Sequence, residues 1–180
     1  MAKATKDKVK VGTGNGSNPL SRKFETGVDL PADVRAAVIV LLNEQLAATA
    51  DLQSQVKQSH WNVKGTHFYP LHLLFDDLAE HLEDLTDEIA ERVAALGGYA
   101  QGTVRMAAAN STLPELPVDI NDGLDYVKAL VDRYSIYASN LRAGIDTADA
   151  AGDADSADLL TEASRIADKD LWFLQAHLQH

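Results

Sequence analysis

Apolar residues recur at three- and four-residue steps along four stretches of the chain, which is the spacing of one face of an α-helix. No stretch shows the strict apolar–polar alternation of a half-buried strand, and no sequence repeat is visible. The pattern therefore predicts an all-α protein with four long helices, over residues 31–62, 67–96, 120–147 and 156–178.

Proline and glycine mark the ends of these stretches. Pro31 and Pro70 each fall in a predicted first turn, where proline is tolerated. Gly97 and Gly98 follow the second stretch, where glycine commonly ends a helix.

A long connection, residues 97–118, separates the second predicted helix from the third. Loops beyond about 12–15 residues are uncommon unless they have a role, and here the natural role is to carry the chain from one end of a bundle to the other. Residues 106–113 are predicted to form a short helix within it. Four helices with one long crossover match a ferritin-like four-helix bundle, and the alternative is a simple up-and-down bundle.

Residues 1–30 differ from the rest in composition. They are rich in glycine and polar residues without apolar periodicity, so we expect a flexible N-terminal tail followed by one bundle domain over residues 31–180. The tail has six basic and three acidic residues, a net charge of +3, whereas the remainder has ten basic and twenty-four acidic residues, a net charge of −14. An acidic body attracts cations and repels nucleic acid.

Several classes of protein are excluded or disfavoured by composition. The chain has no cysteine, which rules out disulfides, zinc–thiolate sites and thiol nucleophiles. The longest clean apolar run, Ala36–Leu42, is far too short to span a bilayer, and no secretory signal is visible. We therefore expect a cytoplasmic protein that does not bind membranes.

Candidate metal ligands concentrate near the second predicted helix. His72 and Asp76 are four residues apart, as are Asp87 and Glu91, so each pair lies on one helix face. His60 ends the preceding helix, where a turn would bring it near His72. Imidazole with carboxylates suits iron or zinc, and carboxylate-rich sites with open positions suit iron chemistry.

The rise of a helix separates these candidates into two groups. Asp76 and Asp87 share a face but lie about 16 Å apart along the axis, at about 1.5 Å per residue. One straight helix therefore cannot bring both pairs to the same ion. Either there are two separate weak sites, or the groups meet across a two-fold axis between antiparallel copies of this helix. No Glu-x-x-His pair occurs in the chain, which disfavours a di-iron site within one subunit.

These residues carry a family resemblance. The segment His60-Trp61-Asn62-Val63-Lys64-Gly65, with His72, Asp76, Asp87 and Ala90-Glu91-Arg92, resembles the Dps family, the DNA-binding proteins from starved cells. The segment Asp170-Leu171-Trp172-Phe173-Leu174 is similar to the last helix of that family. The resemblance covers roughly residues 30–178.

The resemblance implies a hollow shell of twelve subunits with ferroxidase sites at two-fold interfaces. Each site would bind two iron ions through His60, His72 and Asp76 of one subunit and Asp87 and Glu91 of its partner. The family oxidises ferrous ion, preferably with hydrogen peroxide, and stores ferric mineral in the shell, which protects the cell and its DNA. Zinc would be a competitor for the site.

Further roles follow from the same resemblance. Glu91 is the candidate bridging carboxylate, and Trp61 is either an electron donor to a damaging oxidant or a packed core aromatic. Asp149, Asp153 and Asp158 are expected to line pores for iron entry, unless they only cap the start of a helix.

The basic tail raises the question of DNA. Some family members bind DNA through lysine-bearing N-terminal arms, and twelve copies of a weak arm act together. The alternative function is therefore a nucleoid-associated assembly that packs DNA and whose metal site is structural or occupied by zinc. If DNA is not bound, the tail is simply solvated. The lysines concerned are Lys3, Lys6, Lys8 and Lys10. Four histidines fit no ligand pattern and are expected at surfaces or interfaces: His67, His81, His177 and His180.

Overall fold

The computed structural model describes residues 19–179, and within them every regular element is helical. A short 3-10 helix at Pro19–Ser21 precedes five α-helices. These are α1 (Ala32–Asn62), α2 (Phe68–Ala95), α3 (Val104–Asn110), α4 (Gly123–Ala151) and α5 (Ala154–Ala176). The prediction of an all-α fold with four long helices is confirmed. The short helix lies two or three residues earlier than the sequence suggests.

The four long helices form two hairpins, α1 with α2 and α4 with α5. Their apolar stripes meet in one core built mainly from leucine, in which side chains such as Leu42, Leu52, Leu78 and Leu141 are fully buried. None of the helices in the described part of the chain is long and apolar enough to cross a membrane.

The crossover between α2 and α4 spans the length of the bundle. It leaves the end of α2 at Gly97 and finishes at the opposite end of the bundle. There the backbone of Lys64, in the α1–α2 turn, forms an isolated parallel β-bridge with the backbone of Asp122, just before α4. A simple up-and-down bundle would start α4 near the end of α2 instead. The ferritin-like topology predicted from the long connection is therefore confirmed.

Polar side chains spaced along α1 hold the crossover in place through a series of hydrogen bonds. The amide of Gln101 donates to Asn43, and the hydroxyl of Ser111 donates to Asp51 at 2.6 Å. Farther along, Gln55 accepts a hydrogen bond from the buried guanidinium of Arg133 on α4. The guanidinium also donates to the Glu115 carbonyl, so it ties α4, α1 and the crossover together.

The segment before α1 lies against the far end of α2. The amide of Phe24 donates to the Gly97 carbonyl at 2.8 Å, and the hydroxyl of Thr26 donates to the Ala95 carbonyl at 2.8 Å. Val28 and Leu30 pack against the core. The described part of the expected tail is thus attached to the bundle rather than free, and the division of the chain at residue 30 stays a prediction.

Two helix-ending glycines allow this attachment to be tested. Gly97 has φ +83° and Gly152 has φ +85°, so alanine is strained at either position by roughly 1–2 kcal/mol. A Cβ on Gly97 would lie 2.5 Å from the Phe24 carbonyl oxygen, whereas no described atom lies within 4 Å of a Cβ on Gly152. Gly97→Ala should therefore lower the melting temperature several degrees more than Gly152→Ala and expose residues 22–30 to proteolysis. Equal effects of the two substitutions would contradict the attachment.

Candidate metal centre

The turn between α1 and α2 sets two histidines against each other. His60 lies in the last turn of α1, and His72 lies near the start of α2. Gly65, with φ +97°, makes the tight reversal between them. The two imidazole rings stack with centroids 3.8 Å apart and an angle of 17° between their planes. The proximity expected from the sequence is present, while the role of both residues as metal ligands stays a prediction.

Reciprocal hydrogen bonds hold both rings. Nδ1 of His60 lies 2.7 Å from the carbonyl oxygen of His72, and Nδ1 of His72 lies 2.9 Å from the carbonyl oxygen of His60. Because a carbonyl oxygen only accepts, each Nδ1 carries a proton and donates it. In the neutral rings each Nε2 then keeps its lone pair, which is the arrangement that metal-binding histidines have.

Asp76 lies beside this histidine pair. One of its oxygens is 3.9 Å from Nδ1 of His60, and the same oxygen forms an ion pair with Lys57 of α1. The hydrogen bond from Lys57 is the main reason that the pKa of Asp76 is below its usual value, and the loss of solvent around the carboxylate only partly offsets it. The carboxylate is thus anionic at neutral pH, as a metal ligand must be, but its present partner is an ammonium group.

Asp87 and Glu91 lie elsewhere on the same helix. α2 runs without interruption from Phe68 to Ala95, so Asp87 is about 16 Å from Asp76 along the axis. Both side chains are exposed. Asp87 lines a shallow depression together with Glu83 and Asp84 of α2 and Gln53 of α1. Within residues 19–179, no three histidine, aspartate or glutamate side chains of one chain are grouped so that they would hold a metal ion.

An exposed apolar patch borders the histidine pair. It consists of Trp61, Phe68, Tyr69 and Leu73, whose exposed fractions are 67%, 44%, 66% and 44%. The ring of Phe68 also stacks on His72, with centroids 5.2 Å apart. Trp61 is therefore not a core aromatic of the single chain, and that alternative is wrong. Large apolar side chains clustered in this way commonly mark a surface that contacts another protein.

The three candidate pore aspartates have different surroundings. Asp153 is 1% exposed, and it caps α5 by accepting from the amide of Ser156. It also pairs with Arg92 of α2 at 2.6 Å. Asp153 therefore has the helix-cap role that is the alternative to a pore role, and any pore role for it stays a prediction. Asp149 and Asp158 are exposed, and their pore role stays a prediction.

The remaining candidates divide into described and undescribed residues. His180 lies outside the described residues. So do the lysines expected to contact DNA, which are Lys3, Lys6, Lys8 and Lys10. His67 is exposed just before α2, and Nδ1 of His177 bonds to the Phe173 carbonyl at 2.9 Å. His81 is different, because its Nδ1 lies 3.0 Å from an oxygen of the buried Asp170.

Two side-chain pairs were not predicted from the sequence. Lys57 lies 19 residues from Asp76 on another helix, so no local spacing signals their contact. Asp170 could have been noticed, because it falls on the apolar stripe of α5 with Ala163, Ala167 and Leu174. A carboxylate on such a stripe needs a partner when the helix packs, and the partner is His81.

Comparisons with known proteins agree with this architecture. The family model of the ferritin-like domain matches residues 39–180. The chain is 44% identical over 158 residues to a DNA protection during starvation protein of Agrobacterium fabrum, which covers 88% of this chain and 98% of that protein.

Solved structures give the same result. DpsC from Streptomyces coelicolor superposes with a TM-score of 0.86 at 30% identity, over 92% of this chain and 97% of that one. Dps from Mycobacterium smegmatis superposes with a TM-score of 0.83 at 30% identity, over 87% and 94% of the two chains. The chain therefore belongs to the ferritin-like family, among the DNA protection during starvation (Dps) proteins.

Proposed function

We propose that this protein oxidises ferrous ion at sites shared between two subunits and stores the ferric product inside a hollow assembly of twelve. The observation that carries the proposal is the reciprocal hydrogen bonding of His60 and His72, which leaves Nε2 of both rings free for a metal. Family membership supports iron storage and DNA protection as the general function.

Sharing between subunits follows from the geometry of α2. One chain offers a group of three donors, His60, His72 and Asp76, and a separate pair, Asp87 and Glu91, about 16 Å away. In an antiparallel two-fold pair of α2 helices, the three donors of one subunit face the pair of the other. Each dimer then contains two identical five-donor sites. The exposed apolar patch beside His72 would be buried in the same contact.

The donor set suits oxidation of iron. Three carboxylates and two imidazoles stabilise the ferric state more than the ferrous one, and positions left open admit the oxidant. Two ferrous ions reduce one hydrogen peroxide, and with two protons this yields two ferric ions and two waters. Glu91 is the candidate for a carboxylate that would bridge the two ions. Oxygen is the alternative oxidant, and zinc, which accepts the same donors, would compete with iron.

Trp61 and the exposed aspartates have supporting roles in this proposal. Trp61 follows His60 directly and is oxidisable, so it can donate an electron to a damaging oxidant formed at the site. Asp149 and Asp158 lie on either side of the α4–α5 corner and attract cations towards an entry route. The body of the chain has a net charge of −14, from ten basic and twenty-four acidic residues.

DNA binding is the second candidate function. The Agrobacterium relative is named for DNA protection during starvation. Residues 1–18 of this chain contain four lysines and one aspartate, a net charge of +3. Twelve such segments on one assembly would bind phosphates weakly but together, without reading base sequence.

Mixed assemblies test whether the iron site is shared. His60→Ala and Asp87→Ala subunits should each form shells without rapid peroxide-driven oxidation of ferrous ion. In a shell that combines both variants, each mixed dimer has one doubly damaged site and one intact site. With random pairing about a quarter of all sites are intact, so about a quarter of the wild-type rate should return. The measurement is stopped-flow oxidation kinetics on shells purified through two different tags.

This experiment has a control variant and one outcome that would contradict the proposal. Glu80→Ala removes an exposed carboxylate of α2 outside the proposed site and should leave the rate unchanged. If the mixed shells are as inactive as the single variants, the site is not shared and the proposal fails. Solution mass measured on every variant shows whether an inactive sample is still assembled.

Lys57 provides a second test at the same site. Lys57→Met removes the cation that occupies Asp76 and should tighten ferrous binding by up to about fivefold, since exposed ion pairs are weak. Lys64→Met is the matched control, because Lys64 is exposed at the same end of the bundle and its Nζ contacts the Asn62 carbonyl. Anaerobic ferrous titration measures both. Weaker binding in Lys57→Met would show that the lysine supports the site rather than competing with iron.

The DNA proposal is tested on the full chain. Replacing Lys3, Lys6, Lys8 and Lys10 together by glutamine should abolish retardation of duplex DNA at low salt while the shell and its iron oxidation persist. The retardation of the wild type should also disappear steeply as salt is raised. If the substituted protein retards DNA as the wild type does, the segment is not the contact.

A further inference from the structure

The imidazole of His72 contacts two other rings. The ring of His60 stacks on it with centroids 3.8 Å apart and an angle of 17° between the planes. The ring of Phe68 stacks on it with centroids 5.2 Å apart and an angle of 29°. Within the described part of the chain, His60 and Phe68 make no ring contact with each other. The two rings therefore occupy opposite faces of the His72 imidazole, since rings stacked on one face would touch.

The turn between α1 and α2 holds Phe68 in this position. The Phe68 amide donates to the Gly65 carbonyl at 3.1 Å, and Gly65 has the positive φ, +97°, that this tight reversal uses. Phe68 is then the first residue of α2, four residues before His72, so both side chains lie on the same helix face. The backbone of the turn thus determines where the phenyl ring lies relative to the imidazole.

The two imidazoles are not equally enclosed. The His60 side chain is only 12% exposed, so the surrounding helices restrict its ring. The His72 side chain is half-buried, and Phe68, which covers one of its faces, is itself 44% exposed. His72 therefore depends for its orientation on a ring at the surface as well as on its hydrogen bond.

The hydrogen bond of His72 restrains its imidazole only in part. Nδ1 donates to the carbonyl oxygen of His60 at 2.9 Å, and a carbonyl oxygen accepts hydrogen bonds over a broad range of directions. The torsion about the Cβ–Cγ bond of histidine is also broad when nothing packs against the ring. Because the Nε2 lone pair lies in the ring plane, rotation about this bond turns the lone pair away from a metal. Rings packed against both faces prevent that rotation.

We propose that Phe68 is a positioning residue of the metal site. Its ring holds the imidazole of His72 against His60 and so keeps Nε2 of His72 directed at the metal. The inference rests on the proposed function, which assigns His72 as a ligand. It distinguishes Phe68 from Trp61 and Tyr69 of the same apolar patch, because among the described residues neither of these makes a ring contact with the histidine pair.

The test uses the assembled full chain without metal and titrates it with cobalt(II) in place of ferrous ion, because the visible absorption of cobalt(II) depends on the geometry of its ligands. Phe68→Leu keeps an apolar side chain but removes the ring. It should raise the cobalt dissociation constant by up to about tenfold, the size of one aromatic pair, and alter the absorption spectrum. Phe68→Tyr restores the ring and should bind as the wild type does.

Tyr69→Leu is the matched control. Tyr69 is the next residue along the chain, belongs to the same apolar patch and is 66% exposed, but it has no ring contact with His72. Its substitution should change neither the dissociation constant nor the spectrum. Solution mass shows that each variant is assembled, and Phe68→Met, which is closer to phenylalanine in volume, replaces Phe68→Leu if the leucine variant does not assemble.

A double-mutant cycle shows whether Phe68 acts through His72. In a His72→Ala background, Phe68→Leu should cause no further weakening, because the ring that it orients is gone. Equal weakening in both backgrounds would overturn the proposal. So would equal effects of Phe68→Leu and Tyr69→Leu, or weak binding by Phe68→Tyr.

Cobalt binding involves no oxidation step, so this experiment is independent of the mixed assemblies. If the mixed shells regain no oxidation, sharing of the site between subunits is wrong, whereas an effect of Phe68→Leu that requires His72 still establishes the positioning role. If Phe68→Leu binds cobalt as the wild type does, Phe68 has no positioning role, whereas recovery in the mixed shells still supports sharing. The two proposals therefore fail separately.

Discussion

The rigidity of one uninterrupted helix governs the chemistry available to this protein. α2 holds His72 and Asp76 near its start and Asp87 and Glu91 farther along, and a helix cannot shorten to bring them together. Any function that uses all of these donors therefore needs a second copy of the chain. The reciprocal bonds between His60 and His72 complete this constraint, because they orient both imidazoles before any partner arrives. In the proposed assembly a second subunit would bring the two groups of donors together, while each subunit already supplies the orientation of its own imidazoles.

Much of the fold could be predicted because its determinants are local. The apolar periodicity located α1, α2, α4 and α5 to within a few residues, and Gly97 ended α2 where expected. The length of the crossover distinguished its topology from a simple bundle, since a short connection would have sufficed there. The separation of the candidate ligands was also predictable, because it depends only on residue number and helical rise.

The features that could not be predicted depend on contacts between distant parts of the chain. Lys57 pairs with Asp76, and His81 pairs with Asp170, across helices that sequence spacing cannot align. Asp153 looked like its acidic neighbours, but its burial under Arg92 distinguishes it from the exposed Asp149. In each case the outcome depends on which side chains a neighbouring helix covers, and this cannot be derived from the composition of the chain.

The attachment of residues 22–30 has a consequence for how this protein can evolve. Residues 20–23 lie beside Val40 and Asn43 of α1, about 30 Å along the helix from His60, so the segment joins the bundle at the end opposite the histidine pair. Substitutions in residues 20–23 are therefore too far away to contact the histidine pair directly. Selection can therefore change the charge of that segment without disturbing His60 and His72, so the two ends of the bundle are able to diverge independently among relatives.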